Sequence, residues 1–239
     1  MSDFTGYLSQ GLKLLEIDYT QEQLAQCARY YHLLIDWNRK MNLTAITEEK
    51  EVAVKHFLDS LMVLKFISLK PKERLIDIGT GAGFPGLPLK IFRPDLDVVL
   101  LDSLAKRCHF LTAVQSELGL DRVEIIHGRA EEFGRKMGYR EEFSLVFARA
   151  VTSLPVLLEY CLPFLKIGGV FFALKGPDIN SEIENSSSGL DILGGKLIEK
   201  HFYQLPLLGD DRSLVMIQKI KKTPEKYPRK AGIPEKRPL

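Results

Sequence analysis

The sequence predicts an α/β fold, doubly wound around a mostly parallel sheet, and three observations carry that prediction. From Leu75 onward, short apolar runs alternate with helical patterns in a repeated βα rhythm. The first run, Leu75-Ile76-Asp77-Ile78, ends in glycines at 79, 81, 83 and 86 before a helix begins. That is a buried strand turning tightly into a helix N-terminus, where a ligand can approach the backbone at the carboxyl edge of a sheet. The alternation then gives way to two strand-like runs, KLIEKHFYQLP (196–206) and RSLVMIQKIKK (212–222), joined by LGDD. They read as an antiparallel hairpin closing the sheet.

Residues 1–70 read as a helical cap beside this domain. Thr20 followed by Gln23 is an N-cap with a capping-box partner, and Leu24, Cys27, Ala28, Tyr31, Leu34 and Ile35 keep helical spacing to about Met41. A second periodic segment, Val52 to Phe66, contains HFLDSL (56–61). Strand 1 (LIDIG) and PGLPLKIF are followed by DVVLLD (97–102), the helix at 105–118, VEIIHG (123–128) and a short helix near Ala130–Met137. FSLVFAR (143–149), the helix at 154–165 and GGVFFALKG (168–176) complete the alternation. Right-handed crossovers make such a series one parallel sheet. The polar stretch 177–195 reads as helical at best, with Ser186–Gly189 as a mobile kink.

At 239 residues the chain suits one α/β domain with modest extensions, divided by composition into 1–70, 71–222 and a tail at 223–239. The N-terminal MSDFTGYLSQ lacks the basic and apolar regions of a secretory signal, and no apolar run reaches the roughly 18 residues of a membrane span. Three scattered cysteines (27, 108, 161) read as reduced thiols in a cytoplasmic protein. The histidines at 32, 109, 127 and 201 lack metal-ligand spacing. Net charge is only +2, but from Lys219 onward the chain holds eight Lys/Arg and four prolines. This tail is too poor in apolar residues to build a core of its own.

Gly81-Ala-Gly83-Phe-Pro-Gly86 matches the dinucleotide fingerprint, with Asp102 as the ribose acid. Three features oppose it. Gly79 and Asp77 extend the pattern to D-x-G-x-G-x-G, Pro85 removes a donor that a pyrophosphate would use, and the terminal hairpin is foreign to a dinucleotide-binding half. The extended pattern, an acid ending strand 2 and the late hairpin resemble the class I S-adenosylmethionine-dependent methyltransferases. Their cofactor carries no phosphate, and a carboxylate at Asp102 could accept both ribose hydroxyls. A dinucleotide site and a purely structural glycine turn stay open at this point.

Seven runs in order narrow the resemblance: WNRKMNLTAIT (37–47), HFLDSL (56–61), DIGTGAGFPGLPL (77–89), LLDSLAKRCHFL (100–111), RAEEF (129–133), FARAV (147–151) and KYPRKAGIPEKRPL (226–239). Together they are similar to the bacterial small-subunit (16S) ribosomal RNA guanine-N7 methyltransferases, the glucose-inhibited division protein B family. The resemblance implies a seven-stranded class I methyltransferase sheet and S-adenosyl-L-methionine as cofactor. It further implies a cofactor site at Asp77, Gly79, Gly81, Gly83, Phe84, Asp102, Ser103, Leu104, Ala130, Glu131 and Arg149. Arg149 and Lys175, at strand ends on one edge, are the candidates for orienting base or cofactor. Many relatives carry a polar residue or Phe after this Arg, where this chain has Ala150-Val151.

Attack by N7 needs no prior deprotonation, because the nitrogen already carries an exposed lone pair; no general base, covalent cysteine or metal is called for. Lys222, Lys226, Arg229, Lys230, Lys236 and Arg237 of the tail are expected to meet RNA phosphates, so that trimming 222–239 would weaken RNA binding and spare cofactor binding. The partner is then small-subunit rRNA or the 30S subunit, with no membrane and no metal, and the protein acts as a monomer. Plainer readings stand beside these. Asp102 could cap the helix at 105, Glu131 could be a surface charge, and His56 and Asp59 a helix-surface pair. Trp37 and Asn38 read as stitching the cap to the domain, while the buried position of Arg149 demands a partner. A nicotinamide-dependent oxidoreductase and a non-catalytic RNA-binding assembly factor are the competing functions.

Overall fold

The computed structural model describes residues 3–239. Its strands are β1 (Arg74–Ile78), β2 (Asp97–Asp102), β3 (Val123–His127), β4 (Phe143–Arg149), β5 (Leu165–Lys175), β6 (Gly195–Gln204) and β7 (Asp211–Lys219). Among the described residues they form one sheet ordered β3-β2-β1-β4-β5-β7-β6. β1 to β5 are mutually parallel, whereas β7 runs antiparallel to both β5 and β6. Apart from the buried Asp77 of β1, the interiors of β1, β2 and β4 are largely apolar because both sheet faces are covered. Sequence order reverses between β1 and β4, so their carboxyl ends open a crevice at the switch point.

The cap begins with α1 (Phe4–Leu14) and α2 (Gln21–Met41). The start of α2 is chemically fixed: Thr20 Oγ1 accepts from Gln23 N–H, and Gln23 Oε1 accepts from Thr20 N–H. Its end is the left-handed Asn42. Asn38 then staples the chain that follows, its Oδ1 accepting from Leu43 and Thr44 N–H at 2.6 and 2.9 Å. Trp37 lies 5.7 Å from Phe110 of the helix after β2. Trp37 therefore stitches the cap to the domain as expected, whereas the hydrogen bonds of Asn38 stay within the cap and brace its own loop.

The expected second cap helix is not uniform. It is α-helical over α3 (Glu49–Val52), π-helical over Ala53–Leu58, and α-helical again over α4 (Asp59–Leu61). Helical periodicity alone does not reveal such a wide turn, which inserts one residue and is frequent at functional sites. His56 sits inside it.

After β1, α5 (Gly86–Phe92) starts one residue beyond Pro85; α6 (Ala105–Leu118), α7 (Ala130–Phe133) and α8 (Leu154–Cys161) follow β2, β3 and β4. The helix at 154 is shorter than its pattern predicts, because Leu162–Phe164 tightens to a 3₁₀ turn and β5 begins at Leu165. Between β5 and β6 lie α9 (Asn180–Glu184) and α10 (Ser187–Leu193). Ser186 is fully buried and its hydroxyl donates to Glu182 O at 2.6 Å, so the expected kink at 186–189 is a packed helix junction.

The cap has no core of its own. Phe4, Leu8, Tyr30 and Phe57 join Leu75, Leu87, Phe110 and Phe147 in one cluster on one sheet face. The other face packs on α8, and this second cluster reaches Tyr227 and Leu239. Residues 223–239 are thus laid against the domain, ending in α11 (Ile233–Lys236), with Thr223, Tyr227 and Pro234 buried. The change of composition at 223 marks a change of packing partner.

Tyr30 is the cap's deepest reach: it is fully buried and its hydroxyl donates to Ala82 O inside the glycine turn. Replacing it by Phe leaves that carbonyl unsatisfied, which costs about 1–3 kcal/mol. Urea denaturation of Tyr30→Phe is expected to show that loss, with the far-UV spectrum unchanged.

Candidate active site at the carboxyl edge of the sheet

The glycine turn takes the shape its composition permits. Gly79, Gly81 and Gly83 all have positive φ, +66°, +63° and +94°. Space matters as much as angle at two of them. A Cβ on Gly79 would lie 2.8 Å from Val151 of the loop after β4, and one on Gly83 would lie 2.5 Å from the Tyr30 hydroxyl. At Gly83 the cap shares the close approach with Leu87, 2.6 Å from the same point.

Asp77 anchors the turn from behind. Its Oδ2 accepts from Thr80 Oγ1 at 2.7 Å and from Gly86 N at 2.9 Å, capping α5 where Pro85 offers no donor. The carboxyl is wholly buried, Oδ1 has no partner, and burial pushes its pKa up to about 6. Asp77 does not line a cavity at this edge.

Phe84 stands at the meeting point of cap and sheet. Tyr30 stacks on it at 5.2 Å, His56 at 4.9 Å, and Phe57 meets it edge-on at 5.2 Å. The guanidinium of Arg149 lies 5.2 Å from its ring centroid. Arg149, at the end of β4, finds the partner its position requires in the cap: Nη1 donates to Asp59 Oδ2 at 3.0 Å and to Lys55 O at 2.9 Å. The π-helical turn supplies that carbonyl. Asp59 is 4% exposed and also accepts from the Tyr203 hydroxyl at 3.2 Å. The half-buried His56 and the buried Asp59 clamp Arg149 and are not a surface pair.

The contacts of His56 define its charge. Arg149 can only donate, so His56 Nδ1, 3.4 Å from Nη2, is an acceptor, and Nε2–H donates to Thr44 Oγ1 at 2.9 Å. Burial first, and then the Arg149 charge, lowers its pKa to about 3.

Asp102 ends β2 and is 2% exposed. Its Oδ2 accepts from Gly81 N at 2.9 Å and from Arg107 Nη1 at 3.2 Å, and Oδ1 accepts from Leu104 N at 2.9 Å. It ties the glycine turn to the start of α6 and still faces open space; the capping and ligand readings of this residue are compatible. Ser103 lies beside it on the cavity wall, whereas Leu104 is exposed and outside the lining.

Three adjoining cavities run along this edge. One of about 110 Å³, between the ends of β2 and β3, is lined by Asp102, Ser103, Ala130, Glu131 and Glu235. It shares Gly79, Asp102, Ser103 and Val151 with a central one of about 350 Å³, which reaches Gly81, Phe84, Arg107 and Arg149. The central cavity shares His56, Arg149 and Ala150 with a third, also about 350 Å³, lined by Lys55, Lys175 and Arg212. Ala150 takes a positive φ of +53°, backbone strain of the kind that gathers at functional sites. A larger cavity of about 670 Å³ lies at the opposite edge, by Glu73, Arg74, Ser144 and Gly168. It is at the amino ends of β1 and β4, where open α/β sheets do not bind their ligands.

Glu131 is not the surface charge its helix start suggests. It is 4% exposed and Oε1 accepts from Gly232 N at 3.1 Å. Lys175 lines the third cavity but is held by Glu182 at 2.9 Å and by Thr152 O at 2.7 Å. Arg229, expected on RNA, faces inward: it grips the buried Glu159, with Nη2–Oε2 at 2.6 Å, and its charge is not free for a phosphate. Lys222, Lys226, Lys230, Lys236 and Arg237 are exposed on the outer side of the same segment. Lys55 and Arg212 are site residues that the sequence reading missed, since neither lies in a recognisable motif.

The chemistry of the lining fits S-adenosylmethionine. Carboxylates from Asp102, Glu131 and Glu235 suit ribose hydroxyls and an exocyclic amine and oppose a pyrophosphate. The small glycine turn leaves room for an amino-acid moiety, and the unpartnered Asp77 oxygen lies behind it. Among the described residues no group of three His, Cys, Asp or Glu is placed to hold a metal, and no helix is long and apolar enough to cross a membrane.

The clamp predicts a pH response. The folded state holds His56 neutral to about pH 3 against 6.5 for a free imidazole, so its contribution to stability is present above pH 6.5 and is lost as pH falls towards 3. Asp77, raised to about 6, works in the opposite sense: its contribution is complete below its ordinary 3.8 and lost as pH rises through 6. His56→Gln is therefore expected to lose less stability than wild type between pH 6.5 and 4, by about 3 kcal/mol, measured by denaturant titration at each pH.

Residues 23–209 match the family model GidB, described as rRNA small subunit methyltransferase G. A protein of Desulforamulus reducens called ribosomal RNA small subunit methyltransferase G is 52% identical over 100% of both chains. One of the same name from Thermoanaerobacter pseudethanolicus is 53% identical over 88% of each. Among solved structures, TYW2 of M. jannaschii in complex with AdoMet superposes with a TM-score of 0.52 at 16% identity, over 87% of this chain and 80% of that one. TrmN of Thermus thermophilus gives 0.54 at 17% identity, over 68% and 48%. These distant likenesses show the fold; the close relatives and the family model show that this chain belongs to the rRNA small subunit methyltransferase G family.

Proposed function

We propose that the protein transfers the methyl group of S-adenosylmethionine to N7 of a guanine in small-subunit ribosomal RNA. The observation that carries this reading is the meeting, at the switch point, of the Asp102 carboxylate, the glycine turn and Arg149 in one run of cavities. When bound, the cofactor supplies an electrophilic methyl group on a sulfonium. The chain's own residues hold and orient.

Asp102 receives the ribose hydroxyls. Three protein donors already use it, and a carboxylate has about four acceptor sites; the 3.2 Å contact from the partly exposed Arg107 is the one that yields. Gly79, Gly81 and Phe84 shape the space for the amino-acid moiety, with Asp77 and Gly83 holding the turn from behind. Ala130 and Glu131 flank the nucleobase.

The third cavity suits the substrate. Lys55, Arg149, Lys175 and Arg212 line it. Each is ion-paired with a carboxylate: Lys55 with Glu51 and Asp210, Arg149 with Asp59, Lys175 with Glu182 and Arg212 with Asp210. An RNA phosphate there would share or exchange these partners. The guanine enters from a loop or leaves its stack to do so, and the clamped Arg149, shared by both cavities, keeps base and cofactor in register. Rate enhancement then comes from proximity and alignment. The exposed lysines of the C-terminal segment supply further phosphate contacts. The reading takes the protein to act as a monomer in the cytoplasm, on rRNA or the 30S subunit. The carboxylate-rich lining argues against a nicotinamide dinucleotide.

Incubating the protein with methyl-labelled S-adenosylmethionine and unmodified 30S subunits or naked rRNA tests the proposal. Label in rRNA with strand scission at an N7-methylguanine is expected; RNA binding without label would indicate an assembly factor. Arg149→Ala is expected to lower the methylation rate by at least about 100-fold, as misplacement of reacting groups does, and normal rRNA methylation with unchanged cofactor affinity would refute its role. Asp102→Asn is expected to weaken cofactor binding by about 10-fold or more, the worth of one charge-assisted hydrogen bond, in calorimetric titration.

A further inference from the structure

We propose that residues 222–239 form a strap that builds the outer rim of the nucleoside-end cavity, and that Glu235 is a cofactor-contacting residue for the adenosine half. The proposal rests on the S-adenosylmethionine reading and says which part of the chain completes that site.

The strap has almost no regular structure, so its backbone needs partners elsewhere. Arginines from the α7–β4 connection supply them. Arg140 donates to Thr223 O at 2.7 Å and Tyr227 O at 2.9 Å. Arg135 donates to Lys226 O and Pro228 O, both at 2.8 Å. At the strap's origin the buried Lys219 donates to Leu162 O at 2.6 Å and to the Thr223 hydroxyl. Midway, Arg229 closes on Glu159 through its side chain and its backbone N–H, the latter at 2.6 Å. A solvated tail has no use for so many directed contacts.

The strap's last turn is aimed at the cavity. Gly232, at φ +78°, donates its N–H to Glu131, and the chain then turns into α11. That places Glu235 on the lining together with Asp102 and Glu131. Tyr160, also on the lining, is held above its ordinary pKa by burial and by the charges of Glu131 and Glu235. Carboxylates on three sides, with Arg129 as counter-charge, suit a donor-rich, uncharged nucleoside. Trimming 222–239 removes this rim, so it costs cofactor affinity as well as RNA contacts, contrary to the sequence-based expectation.

Calorimetric titration of full-length wild type, Glu235→Ala and Glu225→Gln tests the proposal, with S-adenosylmethionine and 5′-methylthioadenosine as ligands. Glu225 is exposed on the same strap, away from the cavity lining. Glu235→Ala is expected to weaken both ligands equally, by about 3- to 10-fold, while Glu225→Gln changes neither. Equal binding by wild type and Glu235→Ala would overturn the strap proposal alone. Failure of the wild type to bind either ligand would overturn the cofactor reading, and the strap proposal with it. Glu235 is exposed but accepts a hydrogen bond from the Tyr160 hydroxyl, so the variant is expected to melt slightly lower and still be folded at the titration temperature. A loss confined to S-adenosylmethionine would place Glu235 outside the nucleoside end and refute the assignment.

Discussion

The site depends on one buried charge. A guanidinium at the carboxyl end of a central strand must be paired, and the partner of Arg149 is on neither the sheet nor its crossover helices. Asp59 and the carbonyls of a π-helical turn meet it from the cap. Removing Asp59 alone would strand the charge, the costly way to break such a pair. The cap is therefore fixed to the sheet at the point where cofactor and substrate cavities meet, and its aromatic residues wrap Phe84 on the glycine turn.

That arrangement explains why the loop needs its glycines. Only part of the demand comes from a ligand. Gly83 makes way for Tyr30, Gly79 for Val151, and Gly86 brings its N–H to Asp77. A motif that reads as a ligand cradle is also the seam between two parts of the protein. The strap at the other end of the chain plays the matching role at the nucleoside end, through Glu131 and Glu159. Cap and sheet wall the central and third cavities, while sheet and strap wall the nucleoside-end one.

Much of this was legible in the sequence, for physical reasons. Buried parallel strands are continuous apolar runs, and those runs located β1, β2 and β4; the capping box located α2. The loop glycines and Asp102 were legible because a tight turn and an acid at a strand end are local features. What escaped were interactions set by distant partners. The burial of Glu131 depends on a backbone N–H 101 residues later. The inward turn of Arg229 depends on Glu159, 70 residues earlier. Composition made the tail look solvated because Lys, Arg and Pro build no core, yet a segment can be held by its carbonyls. The π turn escaped because apolar spacing does not register one inserted residue.

The central claim is that the cofactor lies across the carboxyl edge, ribose on Asp102 and nucleobase between Glu131 and the strap. The most direct test is a crystal structure of the protein with S-adenosylhomocysteine. The account predicts ribose hydroxyls within hydrogen-bond reach of Asp102, with Arg107 displaced, and adenine in the cavity beside Glu131 and Glu235. Ligand density in the larger cavity at the opposite edge, or adenine pointing towards Lys175, would contradict it.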